Sequence, residues 1–374
     1  MEDHTAYRFC VDRTDLHTTC LLPDPDAPDT RPLAEGEVRL SVATFALTAN
    51  NITYAAFGDK MKYWQFFPSG ANPWGCIPVW GFAEVIESRC AEVATGQRVY
   101  GYLPMGHYLV VQPSRVNRHG FMDGSPHRRE LAAAYNQLVF CATDPSYVAT
   151  QEGLQAVLRP LFTTSFLIDD FMAEQGFFGA RQLLLSSASS KTAYGTAFCL
   201  SRRLGGPTVQ GLTSNANLDF TRSLGCYSQV HAYDHVQALD AAVPTVYIDF
   251  AGDAELRRTV HTHFGTSLTY SCSVGGSHWE ALGSGNGLPG PRPALFFAPA
   301  QAKKRMTPPP EGWGASGFEQ RLADAWQAFL AAVNHTEHPW LTLQTAQGAP
   351  AMQAAYQQLL CGRADARVGL MLTP

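Results

Sequence analysis

The chain has 374 residues, a length that suits two packed domains better than one. Hydrophobic residues make up 45% and charged residues 16% of the sequence, a balance typical of a folded protein and not of a disordered one. The formal net charge of −5 argues against a nucleic-acid-binding or membrane-binding surface, because such surfaces need clustered Lys and Arg. No apolar run reaches the ~18 residues that span a bilayer.

The first half of the sequence predicts mainly strands. Glu37–Ala46 alternates apolar and polar residues, which is the pattern of a half-buried strand. Shorter strand candidates follow at Val79–Glu87, Gln97–Gly101 and His107–Gln112. The stretch Tyr63–Trp80 carries many aromatic residues among Pro and Gly, so we expect an irregular insertion there.

From about residue 160 the pattern changes to alternating helices and short apolar strands. The predicted elements, in chain order, are a helix at Leu161–Glu174, a strand at Gln182–Ser187, a helix at Thr192–Arg203, a strand at Thr208–Thr213, a helix near Asn217–Ser223, and strands at Thr245–Phe250 and Ser267–Val274. This alternation is typical of a parallel sheet covered by helices. A further helix is predicted at Phe318–Val333.

The turn after the strand at Gln182–Ser187 is the strongest candidate for a binding site. A strand that leads through small residues into a helix presents backbone N–H groups to a phosphate. The glycine fingerprint G-x-G-x-x-G is absent, yet the small side chains still allow a close approach and the hydroxyls and lysine add donors. The predicted phosphate-binding residues are Ser187, Ala188, Ser189, Ser190, Lys191 and Thr192.

Two other interpretations of this turn stay open. Ser186–Thr192 ends in Ser-Lys-Thr, like a P-loop, but it lacks both glycines of that motif. A serine-rich turn without any ligand is the second alternative.

The end of the next strand bears on the choice of nucleotide. An NAD-type site has an Asp or Glu there, which binds the ribose 2′-hydroxyl. This sequence has Thr213-Ser214-Asn215 instead, with no carboxylate before Asp219. A carboxylate would repel a 2′-phosphate, whereas hydroxyl and amide groups can donate to it. We therefore expect NADP, and tighter binding of NADPH than of NADH, although the usual Arg or Lys is also missing.

The order of these motifs resembles the medium-chain dehydrogenase/reductase superfamily, in particular its quinone oxidoreductase-like branch. The resemblance covers roughly residues 33–280 and rests on Leu33–Gly58, on Gly96-Gln97-Arg98-Val99-Tyr100-Gly101, on Thr164-Ser165-Phe166, on Leu224-Gly225 with Tyr233, and on Asp249-Phe250-Ala251-Gly252. More narrowly, the serine turn and the Pro-x-Trp-Gly-Phe segment resemble the bacterial family DUF2855, whose members are uncharacterised.

This resemblance implies an α/β protein with a GroES-like, β-rich domain and a doubly wound Rossmann domain. We expect residues 1–165 and 290–374 to form the first, substrate-binding domain, and 166–289 the nucleotide-binding one. The resemblance also extends the expected NADP site to Thr164, Ser214, Asn217, Tyr233, Gly252 and Val274.

No metal site is expected. Where zinc-dependent members have Gly-His-Glu, this sequence has Trp80-Gly81-Phe82, and the lobe of four closely spaced cysteines is absent. His261-x-His263 and His231-x-x-x-His235 lack the third ligand that a catalytic zinc needs. The nine scattered cysteines, odd in number and without a Cys-x-x-Cys, predict reduced thiols and a cytoplasmic protein.

The leading functional hypothesis is hydride transfer from NADPH to a carbonyl or activated C=C bond of a small molecule. Tyr54 is the expected donor to the developing oxyanion and Asn51 a second catalytic residue, although loop packing and loop capping would also explain them. The expected substrate-binding residues are Tyr63, Trp64, Phe67 and Trp80, with an aromatic mini-core as the alternative.

Two other functions remain. One is an NADP(H)-binding sensor or partner protein without turnover, consistent with the missing glycines. The other, a hydrolase, is disfavoured because no G-x-S-x-G motif occurs. A homodimer is a further expectation.

Overall fold

The computed structural model describes residues 6–275 and 287–374. No helix in these residues is both long and apolar enough to cross a membrane. All nine cysteines are free thiols, as the sequence predicts.

The strands are β1 (Tyr7–Asp12), β2 (Thr19–Pro23), β3 (Val38–Leu47), β4 (Trp74–Gly75), β5 (Pro78–Ser88), β6 (Arg98–Pro104), β7 (Tyr108–Val111), β8 (Pro113–Asn117), β9 (Gly120–Asp123), β10 (Gln137–Phe140), β11 (Gln182–Leu185), β12 (Thr208–Thr213), β13 (Gln229–Ala232), β14 (Thr245–Asp249), β15 (Leu268–Ser273), β16 (Ala294–Leu295), β17 (Thr342–Gln347) and β18 (Val368–Thr373). The α-helices are α1 (Ala49–Ala56), α2 (Glu152–Glu174), α3 (Lys191–Ser201), α4 (Leu218–Ser223), α5 (Ala254–Phe264), α6 (Ala298–Met306), α7 (Gly314–Val333) and α8 (Gly348–Leu360).

The chain forms two compact units, and their boundary falls inside α2. The first unit comprises Met1–Val157, Thr342–Ala364 and Val368–Pro374, and the second comprises Leu158–Leu341 and Asp365–Arg367. The β-rich first unit and the parallel sheet of the second confirm the predicted fold class.

The first unit is built on a sheet of order β17-β18-β3-β5-β6-β10-β9-β8, with β7 also paired to β3. Its centre is the long antiparallel pair β3–β5. Most residues of β3 and of the first half of β5 are buried. A second sheet has the order β2-β1-β4. The C-terminal strand β18 returns to β3, with Leu370 opposite Leu47. The C-terminal strands therefore complete a sheet that is otherwise formed by β3 and β5–β10.

The second unit contains a parallel sheet of order β13-β12-β11-β14-β15-β16. Buried apolar residues fill the space between this sheet and α5, among them Leu184, Leu212, Tyr247 and Val260. All the paired strands run in the same direction, so the residues that follow each strand share one edge of the sheet.

The unit boundaries differ from the expected domain boundaries. Residues 158–165 and 290–341 belong to the second unit, whereas we expected them in the first. The reason is aromatic packing of α7 against other helices of the second unit. Phe329 on α7 stacks on Phe162 of α2, with ring centroids 4.4 Å apart, and contacts Phe198 of α3 at 5.4 Å.

Candidate functional site

The predicted phosphate-binding turn joins β11 to α3. Ser187 has a backbone φ of +49°, in the left-handed region that favours glycine. The backbone N–H of Ser190 then donates to the carbonyl of Ser187 at 2.7 Å and closes the turn. The chain thus makes, with a serine, the sharp turn for which the fingerprint uses a glycine.

Two residues of the turn are tied to the neighbouring strand β12. The Ala188 N–H donates to the carbonyl of Leu212 at 2.9 Å, and Thr213 donates through its hydroxyl to Ser189 Oγ at 3.2 Å. A Cβ on Gly211 would lie 2.8 Å from the Ala188 Cβ, so this close approach requires a glycine on β12. The small residues therefore let the turn pack tightly on the sheet.

The first turn of α3 has N–H groups that its N-cap does not satisfy. Ser190 is the N-cap, and its side chain makes no capping hydrogen bond. The N–H groups of Thr192 and Ala193 therefore receive no acceptor from this side chain. Orphan N–H groups at the start of a helix, together with the helix dipole, form a favourable site for an anion.

Lys191 is the first residue of α3. Its Nζ donates to the carbonyl of Ala366 at 3.2 Å, in the short C-terminal segment that belongs to the second unit. Burial lowers the pKa of Lys191 to about 8, although the nearby Asp365 acts in the opposite direction. The lysine does not pair with Asp170, whose carboxylate accepts from Gln301 and Arg305.

The other predicted cofactor residues follow successive parallel strands. Ser214 follows β12 and accepts from the side-chain amide of Asn217 at 3.1 Å. Tyr233 follows β13, and its pKa rises to about 12, since burial raises it more than hydrogen bonds from Ser187 lower it. Val274 follows β15, and its N–H donates to the carbonyl of Asp249 at 2.9 Å.

A buried network holds the ends of β11 and β14 together. The Ser186 hydroxyl donates to Asp249 Oδ1 at 2.8 Å and accepts the N–H groups of Phe250 and Ala251 at 2.9 and 3.0 Å. Gly252 donates its N–H to the same carboxylate oxygen at 3.0 Å. Arg257 donates to Asp249 Oδ2 at 2.9 Å. Gly252 thus belongs to a buried hydrogen-bond network next to the turn. Ser186 and Arg257 are members of this network that the sequence did not indicate as site residues.

Thr164 differs from the other predicted cofactor residues because it lies within α2 and not at a strand end. Its hydroxyl donates to the carbonyl of Pro160 at 3.3 Å, within the helix. The neighbouring Ser165 makes the contact with the turn, donating to the carbonyl of Thr192 at 2.8 Å.

In the first unit, Tyr54 lies on α1 and its hydroxyl accepts from Trp80 Nε1 at 3.1 Å. Burial raises the pKa of Tyr54, so the phenol keeps its proton at neutral pH. The Tyr54 ring lies 4.6 Å from that of Tyr63 and 5.5 Å from that of Tyr102. Tyr135 completes the group, with its hydroxyl 3.5 Å from that of Tyr63. We call these five residues the aromatic cluster.

Sequence reasoning found Tyr54, Tyr63 and Trp80 but missed Tyr102 and Tyr135. Those two come from strand β6 and from a short helical turn before β10, and no spacing in the sequence links them to α1. Only the tertiary fold brings Tyr102 and Tyr135 into contact with Tyr54.

The remaining predicted residues of this unit have structural contacts. Asn51 caps α1, because its Oδ1 accepts from the Thr48 N–H at 2.7 Å. Its Nδ2 donates to the Pro78 carbonyl of β5 at 2.8 Å. Trp64 fills the space beside Gly58 and Gly75, where an added Cβ would lie 2.1 and 2.7 Å from the indole.

Phe67 is 1% exposed and lies 6.0 Å from Tyr102. These contacts agree with the mini-core interpretation for Trp64 and Phe67, and with the capping interpretation for Asn51.

No group of three or more His, Cys, Asp or Glu side chains able to hold a metal occurs in residues 6–275 and 287–374. His261 is buried and bonds to the Pro289 carbonyl and the Ser271 hydroxyl. His263 contacts the carbonyl of Leu239.

Solved structures of other proteins show the same fold over nearly the whole chain. CurA from Vibrio vulnificus in complex with NADPH is 14% identical, with 97% of this chain and 96% of that chain covered and a TM-score of 0.55. A mutant enoyl thioester reductase from Candida tropicalis is 11% identical (99% and 100% covered, TM-score 0.56). A quinone oxidoreductase from Coxiella burnetii is 12% identical (99% of each chain, TM-score 0.54).

At these identities the likeness shows the fold alone. It agrees with the predicted fold class, a β-rich GroES-like part together with a Rossmann part. No curated protein matches the sequence. A family model described as "Protein of unknown function (DUF2855)" matches residues 45–365. The chain therefore belongs to the DUF2855 family.

Proposed function

We propose that the protein binds NADP(H) at the edge of the second unit's parallel sheet and uses it as a zinc-independent oxidoreductase. The observation that carries the proposal is that the predicted cofactor residues, apart from Thr164 on α2, follow β11, β12, β13, β14 and β15 in turn. Ligands of doubly wound folds bind outside the carboxyl ends of the strands.

The residues at this edge fit the phosphates of NADP(H). Ser189, Ser190 and the first-turn N–H groups of α3 would hold the pyrophosphate, with Lys191 as a charge-assisted donor. Ser214 and Asn217 would donate to the 2′-phosphate, and Tyr233 lies after the next strand of the sheet. Within the described residues that follow β12, the first carboxylate is Asp219, which is exposed and paired with Arg222. The resulting site favours a 2′-phosphate over a free 2′-hydroxyl.

The reaction that we propose is reduction of a carbonyl or activated C=C bond in a small apolar substrate. Bound NADPH would supply the hydride. Tyr54 would donate a hydrogen bond to the oxygen on which negative charge develops, because burial keeps its phenol protonated. Trp80 Nε1 fixes the direction of the phenol by donating to its oxygen. Tyr63 and Trp80 would provide an apolar wall for the substrate.

NADPH oxidation by a panel of quinones and enals tests this proposal. We expect at least one compound to be reduced, with unchanged activity after dialysis against a chelator. Tyr54→Phe should lower kcat/KM by about a hundredfold, the low end of the range for a positioned donor. Tyr147→Phe is the matched control, since Tyr147 lies outside the aromatic cluster and donates to Glu152 at 2.7 Å. Equal loss in both variants would contradict a role for Tyr54.

The alternative is an NADP(H)-binding sensor or partner protein without turnover. The close packing of the aromatic cluster favours it, since Tyr54 is only 5% and Tyr63 8% exposed. Saturable binding of NADPH, with no oxidation by any compound of the panel, would select this function.

We further propose that the protein is a homodimer that works in the cytoplasm. The strand β16 is at the edge of the parallel sheet, and Leu295 and Phe297 beside it are 64% and 40% exposed, a surface that pairing would cover. Light scattering of the purified protein tests the dimer. The free thiols suit a reducing compartment, which cell fractionation tests.

A further inference from the structure

The second unit contains a cavity of about 520 Å³ whose lining includes no residue of the turn between β11 and α3. Its volume lies in the range of sites for small molecules. The apolar part of its wall is formed by Phe166 and Ala173 on α2 and by Trp313 just before α7. The rest of the wall is charged, with guanidinium and carboxylate groups in equal number.

Most of these charges already neutralise one another. Arg305 binds Asp170 Oδ2 at 2.7 Å and Glu174 Oε1 at 3.1 Å. Arg203 forms a bidentate pair with Asp169, with N–O distances of 2.6 and 2.7 Å. These arginines are therefore not available to a ligand without breaking an ion pair.

The middle of α7 contributes one positive and one negative charge, Arg321 and Asp324, which do not take part in these ion pairs. Arg321 packs its guanidinium on the Trp313 indole, 4.8 Å from the ring centroid, and Arg305 lies at the same distance from that ring. Unlike Arg305, Arg321 forms no ion pair with any residue in 6–275 or 287–374. Among the residues that the structure describes, Asp324 accepts a hydrogen bond from the neutral amide of Gln320 alone, at 2.8 Å. Residues three apart on a helix have Cβ atoms about 5–6 Å apart. The cavity thus has an adjacent cation and anion at its rim.

We propose that this cavity binds a free α-amino acid with an apolar or aromatic side chain. Its carboxylate would bind Arg321, its ammonium group Asp324, and its side chain the wall formed by Phe166, Ala173 and Trp313. The two charged groups of an α-amino acid are attached to one carbon, which suits two opposite charges one helical turn apart. A simple anion could pair with Arg321 but not with Asp324, and a simple cation with Asp324 but not with Arg321, whereas a zwitterion can pair with both.

Isothermal titration calorimetry of the full chain with L-phenylalanine tests the proposal. We expect saturable binding with a Kd on the order of 0.1–1 mM. 3-Phenylpropionate lacks the ammonium group and 2-phenylethylamine lacks the carboxylate, and each should bind at least tenfold more weakly. Glycine should also bind more weakly, because it leaves the apolar wall uncovered.

Two variants locate the site. Arg321→Gln and Asp324→Asn should each weaken L-phenylalanine binding at least tenfold, and both positions are exposed, so the folded state should be retained. The matched controls are Arg222→Gln and Asp219→Asn on α4, an exposed pair with the same spacing that does not line the cavity. These controls should bind as the parent does.

Three results would overturn the proposal. They are no saturable binding of L-phenylalanine, binding of either single-charge analogue as tight as that of L-phenylalanine, and unchanged affinity in both cavity variants. None of these readouts requires NADPH or turnover, so the outcome is independent of the proposed oxidoreductase activity.

Discussion

Ser187 is the residue at which this chain departs most clearly from a glycine fingerprint. Its φ of +49° is strained for any side chain but not for glycine. Ser187→Gly and Ser187→Ala both remove the hydroxyl, but only the first also relieves the backbone. We therefore expect the Gly variant to be more stable than the Ala variant by about 1 kcal/mol. Urea unfolding of the two variants measures the difference, and a more stable Ala variant would contradict it.

The lowered pKa of Lys191 predicts that the free energy of unfolding depends on pH. Its pKa is about 8 in the folded protein and about 10.4 when unfolded. Below pH 8 the ammonium is charged in both states, and the cost of burying that charge is fully present. Between pH 8 and about 10.4 the unfolded state binds more protons, so this cost is progressively lost and stability rises.

Lys191→Met removes the titrating group. We expect the variant to be more stable than the parent at pH 7 and to lose this advantage by about pH 10. Chemical unfolding at the two pH values measures it, and an advantage that does not change with pH would disprove the burial of the charged group.

The pKa of Lys191 also predicts how the affinity for NADPH depends on pH. A bound phosphate favours the charged ammonium, so above pH 8 binding must take up a proton. NADPH affinity of the parent should therefore fall as pH rises from 8 to 10, whereas that of Lys191→Met should start about tenfold to a hundredfold lower and change less. Fluorescence titration measures both. Equal affinities at pH 7 would show that Lys191 does not contact the cofactor.

Among the elements, the joined ends of β11 and β14 should be the most sensitive to substitution. Asp249 and Arg257 are 1% and 6% exposed, so Asp249→Asn breaks a buried ion pair and disturbs the hydrogen bonds that Ser186 and Gly252 make with the same carboxylate. We expect a loss of about 3–5 kcal/mol in the free energy of unfolding. Asp219→Asn is the matched control, since its ion pair with Arg222 is exposed and contributes less than about 1 kcal/mol. Similar losses in both variants would contradict the importance of the network.

The sequence predicts a strand or helix well where the residues of that element alone determine it. Strands β11, β12 and β14 are short apolar runs bounded by turn residues, so their predicted ranges agree with the structure within one or two residues. Helix α1 lies where the sequence analysis places Asn51 and Tyr54 in a loop. Asn51 stabilises this helix by taking the capping-box position usually held by Glu or Gln.

Long-range pairing explains most of what the sequence does not predict. Strand β18 pairs with β3 although Leu370 and Leu47 are more than three hundred positions apart. The same applies to the aromatic cluster, because Tyr102 and Tyr135 contact Tyr54 only through tertiary structure. The cofactor edge could be predicted in outline, because each of its residues directly follows a strand and parallel strands end together.

At the scale of the whole molecule, the rise in Tm on adding a nucleotide measures which nucleotide the protein prefers. A ligand that binds only the folded state adds about 2.7 kcal/mol of stability at a concentration of one hundred times its Kd. If the two units unfold in separate steps, the nucleotide should shift the step that belongs to the second unit, which carries the turn between β11 and α3.

We expect NADPH to raise the Tm of the parent more than NADH does at equal concentration, because Ser214 and Asn217 can donate to a 2′-phosphate. Ser214→Asp should reverse this order, since a carboxylate accepts from a ribose 2′-hydroxyl and repels a 2′-phosphate. Ser214→Ala separates the two causes, because it removes the hydroxyl without adding charge and should weaken the preference but not reverse it. Equal shifts by the two nucleotides in the parent protein would remove the argument for NADP. A reversal in Ser214→Ala as large as that in Ser214→Asp would show that the hydroxyl decides the preference, independently of charge.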